Sequence, residues 1–367
     1  MDSSIYTRLL EHMNRQPFLP HPALESGIEI LKELFTEEEA GLLFNMTAIP
    51  DAPENIAERA GRQPAEAAAV LDDMARRGLV FATGDASLKL YGILPFLPGL
   101  YEFQFAKAGD GLRPKAPKLA KLFEQYYYEG LGKYAARLYA ESDNETVKSR
   151  VITVEEQIPD ESSALPYERA TEIVRNQPHV ALINCYCRSA ANARGVPCTL
   201  HGPLDVCLLL GPVAEYAIGY GHGKKLIADE AVDVLKRSEN AGLIHTASNC
   251  KEPMVICNCC RCCCGTIKGL SYFDPPGKVI KSRFKPSIAA EECTACGECV
   301  ERCQLNALEI VEDSACLNEA KCIGCGQCAS ACPAEAITLL EREDFDRVKH
   351  DSYLDLSMHI ARSRKLI

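Results

Sequence analysis

No stretch of this 367-residue chain is apolar over enough length to span a bilayer. The longest apolar runs, such as Val206–Gly211, fall far short of the roughly 20 residues a membrane helix needs. The start, Met1-Asp2-Ser3-Ser4-Ile5-Tyr6, has neither the basic cluster nor the apolar stretch of a secretory signal, so a cytoplasmic location is expected. Positive charge is also scarce. Forty Lys and Arg face 51 Asp and Glu, for a formal net charge of −11, which argues against a general nucleic-acid binder. Tryptophan is absent, and its absence excludes nothing. There is no flavin fingerprint, no corrinoid-type D-x-H-x-x-G and no catalytic triad. Cysteine is missing from the first 184 residues, which makes the remainder abnormal, because all 20 cysteines lie beyond that point. In an oxidising compartment they would imply disulfides; in a reducing one they imply metal ligands.

Residues 24–100 form the first expected unit. Thr36-Glu37-Glu38-Glu39 is a capping box opening a helix to about Met46. Pro53 opens a short helix ending at Gly61, and Pro64 opens a third, Ala65–Arg77, closed by Gly78. Leu79–Ala82 and Leu88–Tyr91 flank Gly84-Asp85, a hairpin signal. Helix, helix, helix, hairpin resembles the winged-helix domains of transcription regulators. Such a domain would read DNA with its third helix, yet that helix carries Glu66, Asp72 and Asp73 against Arg76 and Arg77. DNA is therefore not the expected partner, and docking or dimerisation is the expected role. Residues 101–149 link onward through a long amphipathic helix, Lys118–Tyr139. Its stripe of Leu119, Leu122, Phe123, Tyr126, Tyr127, Leu131, Tyr134 and Leu138 suits a core or subunit interface better than a cofactor box. Residues 150–270 read as an α+β domain, with strands at Val151–Ile158 and His179–Cys185 and helices at Tyr167–Gln177 and Asp229–Ala241. Gly219–Lys225 is glycine-rich but matches no phosphate-binding motif, so a flexible loop is expected.

The C-terminal quarter repeats itself. Cys293, Cys296, Cys299 and Cys303 recur 29 residues later as Cys322, Cys325, Cys328 and Cys332, the last followed by Pro333. Gly297 recurs as Gly326, and Ala307-Leu308 as Ala336-Ile337. Three thiolates spaced by two residues can hold three corners of a cube from one loop; the fourth comes from the other half of the duplication. One cubane would then take Cys293, Cys296, Cys299 and Cys332, and the other Cys322, Cys325, Cys328 and Cys303. Zinc also binds paired C-x2-C, but does not call for the third step and the x3-C-Pro tail. On these residues, 287–340 resembles a bacterial-type two-cluster 4Fe–4S ferredoxin, with Gln304 where that family usually has proline. Cys316 has no repeat partner and is expected to be a buried structural thiol. From Ser287 to Leu340 nine acids face two bases, Arg302 and Lys321. Ahead of them Lys268, Lys278, Lys281, Arg283 and Lys285, opposed by Asp274, form a basic segment expected to rest on that acidic module or on an acidic partner. Residues 341–367 are a C-terminal tail.

Eleven further cysteines lie between 185 and 264: Cys185, Cys187, Cys198, Cys207, Cys250, then Cys257, Cys259, Cys260, Cys262, Cys263 and Cys264. Six in eight residues cannot be core packing. Zinc and a redox dithiol relay remain alternatives, but thiolates beside a module that needs iron–sulfur chemistry point to a further Fe–S centre of unknown type. All but Cys250 are its candidate ligands, grouped as one site. The region resembles 4Fe–4S binding proteins of anaerobic bacteria and archaea, through Cys185, Cys187, Arg188, Cys198, Cys207, His245, Asn249 and Cys257–Gly265. Cys263-Cys264-Gly265 is also similar to the CCG domains of heterodisulfide-reductase-type proteins, without their long cysteine spacings. Arg188 could donate to sulfur from outside the ligand set, or be a surface ion pair. His245, read as ending a helix–turn, is a candidate ligand or proton donor, or a simple cap.

The expected fold is α+β in three parts: a winged-helix-like domain, a cysteine-rich domain and a ferredoxin module. The expected function is electron transfer, relaying low-potential electrons between a redox partner protein and a middle-domain centre. A reductase acting on a small substrate at that centre and a redox-sensing DNA-binding regulator are the alternatives. The expected cofactors are two 4Fe–4S clusters and one more Fe–S cluster; a homodimer is an open alternative among partners.

Overall fold

The computed structural model describes residues 4–16, 21–85, 87–107, 114–134, 137, 147, 149–159, 162, 164–270, 280–343, 345, 348–363 and 365. Helices and strands mix throughout, as an α+β chain requires. The chain opens with α1 (Ile5–Asn14), α2 (Glu25–Leu34), α3 (Glu37–Leu43), α4 (Pro53–Ala60) and α5 (Pro64–Arg76), then β1 (Val80–Gly84) paired antiparallel with β2 (Lys89–Ile93). Local chemistry explains the boundaries. Thr36 accepts from the Glu39 amide while the Glu39 carboxylate accepts from the Thr36 amide, so the capping box forms as read, and the helix stops at Leu43. Gly78 turns the chain at φ +71°, where a Cβ would meet the Phe103 side chain at 2.6 Å, so only glycine fits.

The three-helix-and-hairpin order is thus present, but the third helix is occupied. The Tyr216 hydroxyl donates to the Ala75 and Val80 carbonyls, both at 2.9 Å, and the Tyr220 hydroxyl reaches Asp72 at 3.0 Å. His222 lies 3.0 Å from the Ala75 carbonyl and is buried, so the glycine-rich Gly219–Lys225 segment packs on α5 and is no free loop. Arg76 pairs with Asp72, and Arg77 with Asp73 and Glu39, leaving neither base on α5 uncompensated.

After α6 (Tyr101–Phe105), helix α7 (Ala116–Tyr126) continues into a π-helical turn at Tyr127–Leu131. Leu119, Phe123 and Tyr126 are buried as the stripe predicts, and Leu138 lies outside the described residues.

The middle domain is a six-stranded antiparallel sheet of order β3-β7-β9-β5-β4-β6. Its strands are β3 (Ser149–Ile152), β4 (Val180–Asn184), β5 (Asp205–Leu210), β6 (Lys224–Leu226), β7 (Ile244–Ser248) and β9 (Val255–Cys259). The expected strand at Val151–Ile158 ends at Ile152, because Glu155–Gln157 wind into a 3-10 turn. Among its helices, α8 (Ala170–Arg175) packs with α11 (Ala228–Asn240), while α10 (Gly211–Gly219) lies on β4 and β5 and reaches β1. Two short helices carry cysteines: α9 (Tyr186–Ala193) and α12 (Gly265–Gly269).

The C-terminal module, where a ferredoxin is expected, repeats in backbone as in sequence. Strand β10 (Phe284–Ile288) pairs antiparallel with β13 (Ile337–Glu341), and β11 (Leu308–Val311) with β12 (Ser314–Leu317). Short helices α13 (Glu298–Arg302) and α14 (Gln327–Ser330) follow equivalent glycines, Gly297 and Gly326, both at φ +82°. The left-handed residues Ala295 and Gly324 are likewise equivalent, as are Asn306 and Glu335. Cys316 is exposed, not buried: strand alternation on β12 turns Ala315 inward and Cys316 out. The basic segment is anchored where it is described, Arg283 on Glu168 and Glu341 and Lys285 on Glu319; Asp274 and Lys278 lie outside the described residues. The tail returns to the middle domain, where β14 (His350–Ser352) pairs parallel with β8 (Cys250–Glu252) before α15 (Tyr353–Ser363). Among the described residues no helix is long and apolar enough to cross a membrane.

A phosphate backbone needs free cations to meet it, and α5 offers none beyond its ion pairs. Titration of labelled duplex DNA with the full-length protein at physiological salt is therefore expected to show no binding; micromolar, salt-sensitive binding would restore the regulator alternative.

Candidate metal centres

Strand pairing brings the scattered middle-domain cysteines together. Cys185 caps α9 directly after β4, and Cys187 lies in the first turn of that helix. On the neighbouring strand Cys207 stands opposite Ile183. One strand further, β9 places Cys257 and Cys259 two residues apart, hence on one face, with Asn258 on the other. Cys264 then caps α12. These six thiols run as a connected series. Cys264 lies 3.2 Å from Cys259, Thr246 Oγ1 reaches the Cys259 sulfur at 3.2 Å, and the Tyr186 hydroxyl reaches the Cys257 sulfur at 3.3 Å.

The remaining four separate from them. The sulfurs of Cys198, Cys260, Cys262 and Cys263 all lie within 4.8 Å of one another. The strand ends at Cys259, so Cys260 leaves the face that carries Cys257 and Cys259 and turns toward Cys198 in the loop after α9. Ten candidate ligands expected at one site are therefore resolved into two groups. Cys250 joins neither; it is buried on β8 with its sulfur on the Glu252 carbonyl.

Crowding makes these thiols interdependent. Cys264 is held well below the ordinary thiol range by its hydrogen bonds with Cys187 and Cys259, and Cys257 likewise by those with Cys207 and Cys259. Their partners move the other way: Cys187 is pushed up by its bond with Cys264, Cys207 by those with Cys185 and Cys257, and Cys259 by those with Cys257 and Cys264. In the second group a hydrogen bond from Cys263 pulls Cys260 down to about 5, with Arg188 assisting. Bare sulfurs here can share protons but cannot all ionise, because adjacent buried thiolates repel.

Arg188 lies between the groups and is completely buried, so it is no surface ion pair. Burial works against its charge, yet Cys185, Cys207, Cys260 and Cys259 more than compensate and hold it protonated. Its Nη2 donates to the Asn258 carbonyl at 3.2 Å, while Nε and Nη1 have no hydrogen-bond partner among the described residues. A buried cation with two unmet donors calls for an anion. Thiolate-bound metal would supply that anion on either side, so the residues present fit such a centre.

His245 is placed differently from the helix–turn expected of it. It lies within β7, buried, with Nδ1 against the Asn258 amide oxygen and Nε2 3.0 Å from Glu239. Both ring nitrogens thus face structural partners, and neither faces a sulfur. The aromatic stripe has a second role that periodicity does not reveal. Phe123, Tyr127, Leu131 and Tyr134 line a cavity of about 290 Å³ whose opposite wall includes Cys187, Cys257, Cys263 and Cys264.

In the ferredoxin module the second loop is the interior one. Cys322 and Cys328 are buried, and burial pushes the thiols of Cys322, Cys325 and Cys328 up, with Cys303 the remote-loop thiol near all three. The first loop faces outward: Cys296 is exposed and Cys293 half-buried, and Cys332 is close to Cys299. Gln304 shows why proline is absent there. Its side chain accepts from the Arg261 amide at 2.7 Å and donates to the Gly242 carbonyl, joining the segment after Cys303 to the Cys260–Cys263 turn. Beside it Arg302 donates to the Glu239 carbonyl at 2.8 Å and the Asn240 carbonyl at 3.0 Å, capping the C-terminus of α11. Gln327 completes the contact on the Leu243 carbonyl at 2.9 Å.

Gln304→Leu keeps the volume but leaves a buried donor and acceptor unmet, each costing about 1–3 kcal/mol. The denaturation midpoint of the full chain is expected to fall by a corresponding amount, with faster hydrogen exchange across 239–243. An unchanged midpoint and exchange rate would show that the module docks without this side chain.

Comparison with known proteins adds one finding. A family model described as a 4Fe-4S binding domain matches residues 315–338, which hold Cys322, Cys325, Cys328 and Cys332. No curated protein and no solved structure matches the chain. The chain therefore carries a 4Fe–4S binding domain toward its C-terminal end, and a second group of cysteines placed so that they could hold a metal ion.

Proposed function

We propose that this protein transfers low-potential electrons between a redox partner and an iron–sulfur centre in its middle domain, with the ferredoxin module as the relay. In this reading Cys293, Cys296, Cys299 and Cys332 hold the outer cubane, and Cys322, Cys325, Cys328 and Cys303 the inner one. The middle centre belongs to Cys185, Cys187, Cys207, Cys257, Cys259 and Cys264. When bound, such clusters supply one-electron chemistry at potentials set by burial and by hydrogen bonds to sulfur.

The observation that carries this reading is a shared core. Ile323 and Cys325 of the second loop pack in one apolar cluster with Cys257, Cys259 and Cys264. Backbone joins the same surfaces, since the Val154 amide donates to the Cys325 carbonyl at 3.0 Å and Thr153 Oγ1 to the Gly324 carbonyl at 2.9 Å. The inner loop thus lies against the six-thiol group, while the outer loop exposes Cys296 on an acidic module. A partner would dock at that outer end, with charge guiding the encounter. Residues 24–100 are proposed as a docking unit, not a DNA reader, since α5 is taken up by the middle domain.

A second reading has an observation in its favour. The cavity beside Cys187, Cys257 and Cys264 could admit a small substrate to the six-thiol centre, which would make the protein a reductase. Electrons would then end on that substrate and not on a protein.

Two experiments test the proposal. Anaerobically prepared full-length protein is expected to carry more iron and sulfide than two cubanes hold. Cys187→Ser with Cys259→Ser should remove that surplus and its EPR signal while leaving the ferredoxin clusters; sulfide at the level of two cubanes in the fully loaded wild type would overturn the middle centre. Separately, Cys303→Ala should damage the cluster of Cys322–Cys328 and spare that of Cys293–Cys299. The reverse pattern would overturn the crossed ligand assignment.

A further inference from the structure

We propose that Cys198, Cys260, Cys262 and Cys263 bind a single tetrahedral metal ion, zinc or iron, as a mononuclear tetrathiolate site separate from the six-thiol group. The spacing of the sulfurs carries this. Cys198 lies 3.8 Å from Cys260 and 3.5 Å from Cys262, and Cys262 lies 3.7 Å from Cys263. Four sulfurs about 2.3 Å from one tetrahedral ion stand about 3.8 Å from each other. In a cubane each thiolate binds a different iron, which spreads the sulfurs well beyond the tetrahedron of one ion.

The rest of the chain supplies a comparison. Among the described residues this is the only group of three or more possible ligands whose donor atoms all lie within 4.8 Å of one another. All eight ferredoxin cysteines are among those residues and form no such group, although their loops suit cubanes. The six-thiol group forms none either; its sulfurs extend as a series, as a larger centre would need. Neighbouring sulfurs are close in both middle-domain groups, but among the described residues only this quartet has all its sulfurs mutually close, as a lone ion requires.

Charge and access agree. Four thiolates around a divalent ion leave a net negative centre, and the buried guanidinium of Arg188 adjoins Cys260 with two unmet donors. Cys198 and Cys260 are buried, while Cys262 and Cys263 are half-exposed, so the site is closed on one side and open to an entering ion on the other. Bound there, the ion would tie the loop after α9 to the turn after β9. That turn also holds Arg261, whose amide and guanidinium reach Gln304 and Asn306 of the ferredoxin module at 2.7 Å and 3.1 Å. The site would accordingly brace the surface on which the module docks, as closed tetrathiolate sites brace small folds.

The test compares wild type with Cys198→Ser in the full chain, purified anaerobically, by metal analysis and acid-labile sulfide. Cys198 touches the quartet and none of the six-thiol group. The expected difference is about one metal ion per chain with no change in sulfide. Elemental analysis distinguishes the two ions: zinc leaves this site colourless, while iron adds the visible bands of a ferric tetrathiolate, lost in the variant. Loss of several irons together with sulfide would place the quartet in a cluster, and no loss of metal would leave the site without an ion; either result overturns the proposal. Should Cys198→Ser fail to fold, Cys262→Ser, at a half-exposed position, takes its place. Cobalt-loaded wild type adds a check that needs no variant, since X-ray absorption should find four sulfurs at about 2.3 Å and no metal neighbour. Failure of the six-thiol reading would lower wild-type sulfide and leave the Cys198→Ser difference untouched, so the two ideas fail separately.

Discussion

A guanidinium with no route to water sets the terms for the middle domain. Arg188 is completely buried, flanked by thiols of both cysteine groups, and among the described residues only one of its nitrogens has a hydrogen-bond partner. A lone buried charge would cost several kcal/mol, far more than a small domain can absorb. The arrangement makes sense when the sulfurs around it are anionic, and crowded sulfurs remain anionic together when metal neutralises them. A metal bound there would let cation and thiolates offset each other and would tie the domain's stability to its occupancy.

The sheet is what makes such crowding possible. Antiparallel neighbours β4, β5 and β9 bring Cys185, Cys207 and Cys257 into line across strands. Alternation then places Cys259 beside Cys257 and turns Asn258 away, toward His245 and the Val206 carbonyl. His245 and Asn258 thus belong to the polar layer behind the sulfur face. Where β9 ends, alternation ends with it, and the following cysteines are free to build a second site.

The ferredoxin module shows how one motif is given two environments. Its halves repeat the cysteine spacing and the paired left-handed positions, yet Cys296 of the first loop is open to solvent while the second loop is pressed on the sheet. Solvent exposure and hydrogen bonding to sulfur are the levers that tune cluster potentials. On the proposed reading, equal ligands in unequal surroundings would give the two clusters different potentials and the relay a direction. Arg302, one of the two bases among the nine acids of Ser287–Leu340, is spent at the interface, where it caps α11.

Much of this was legible in the residues alone. The 29-residue recurrence of cysteines marked a repeat that the backbone shares and whose second half a 4Fe-4S binding model matches, the capping box and the two prolines placed α3, α4 and α5, and the density of cysteine from 257 to 264 pointed to metal. Each of these is a signal of short range, carried by spacing along the chain. Four things were not local and so were not legible. Cys316 could not be placed in or out without the strand that pairs with it, and the glycine-rich segment could not be known to rest on α5. Gln304 looked like a defect in a turn until the Cys260–Cys263 turn arrived beside it. Above all, ten cysteines read as one site because sequence gives proximity only along the backbone. Tertiary structure divided them, since the end of β9 sends Cys259 and Cys260 in different directions, the loop after α9 brings Cys198 to Cys260, and β5 brings Cys207 to Cys257.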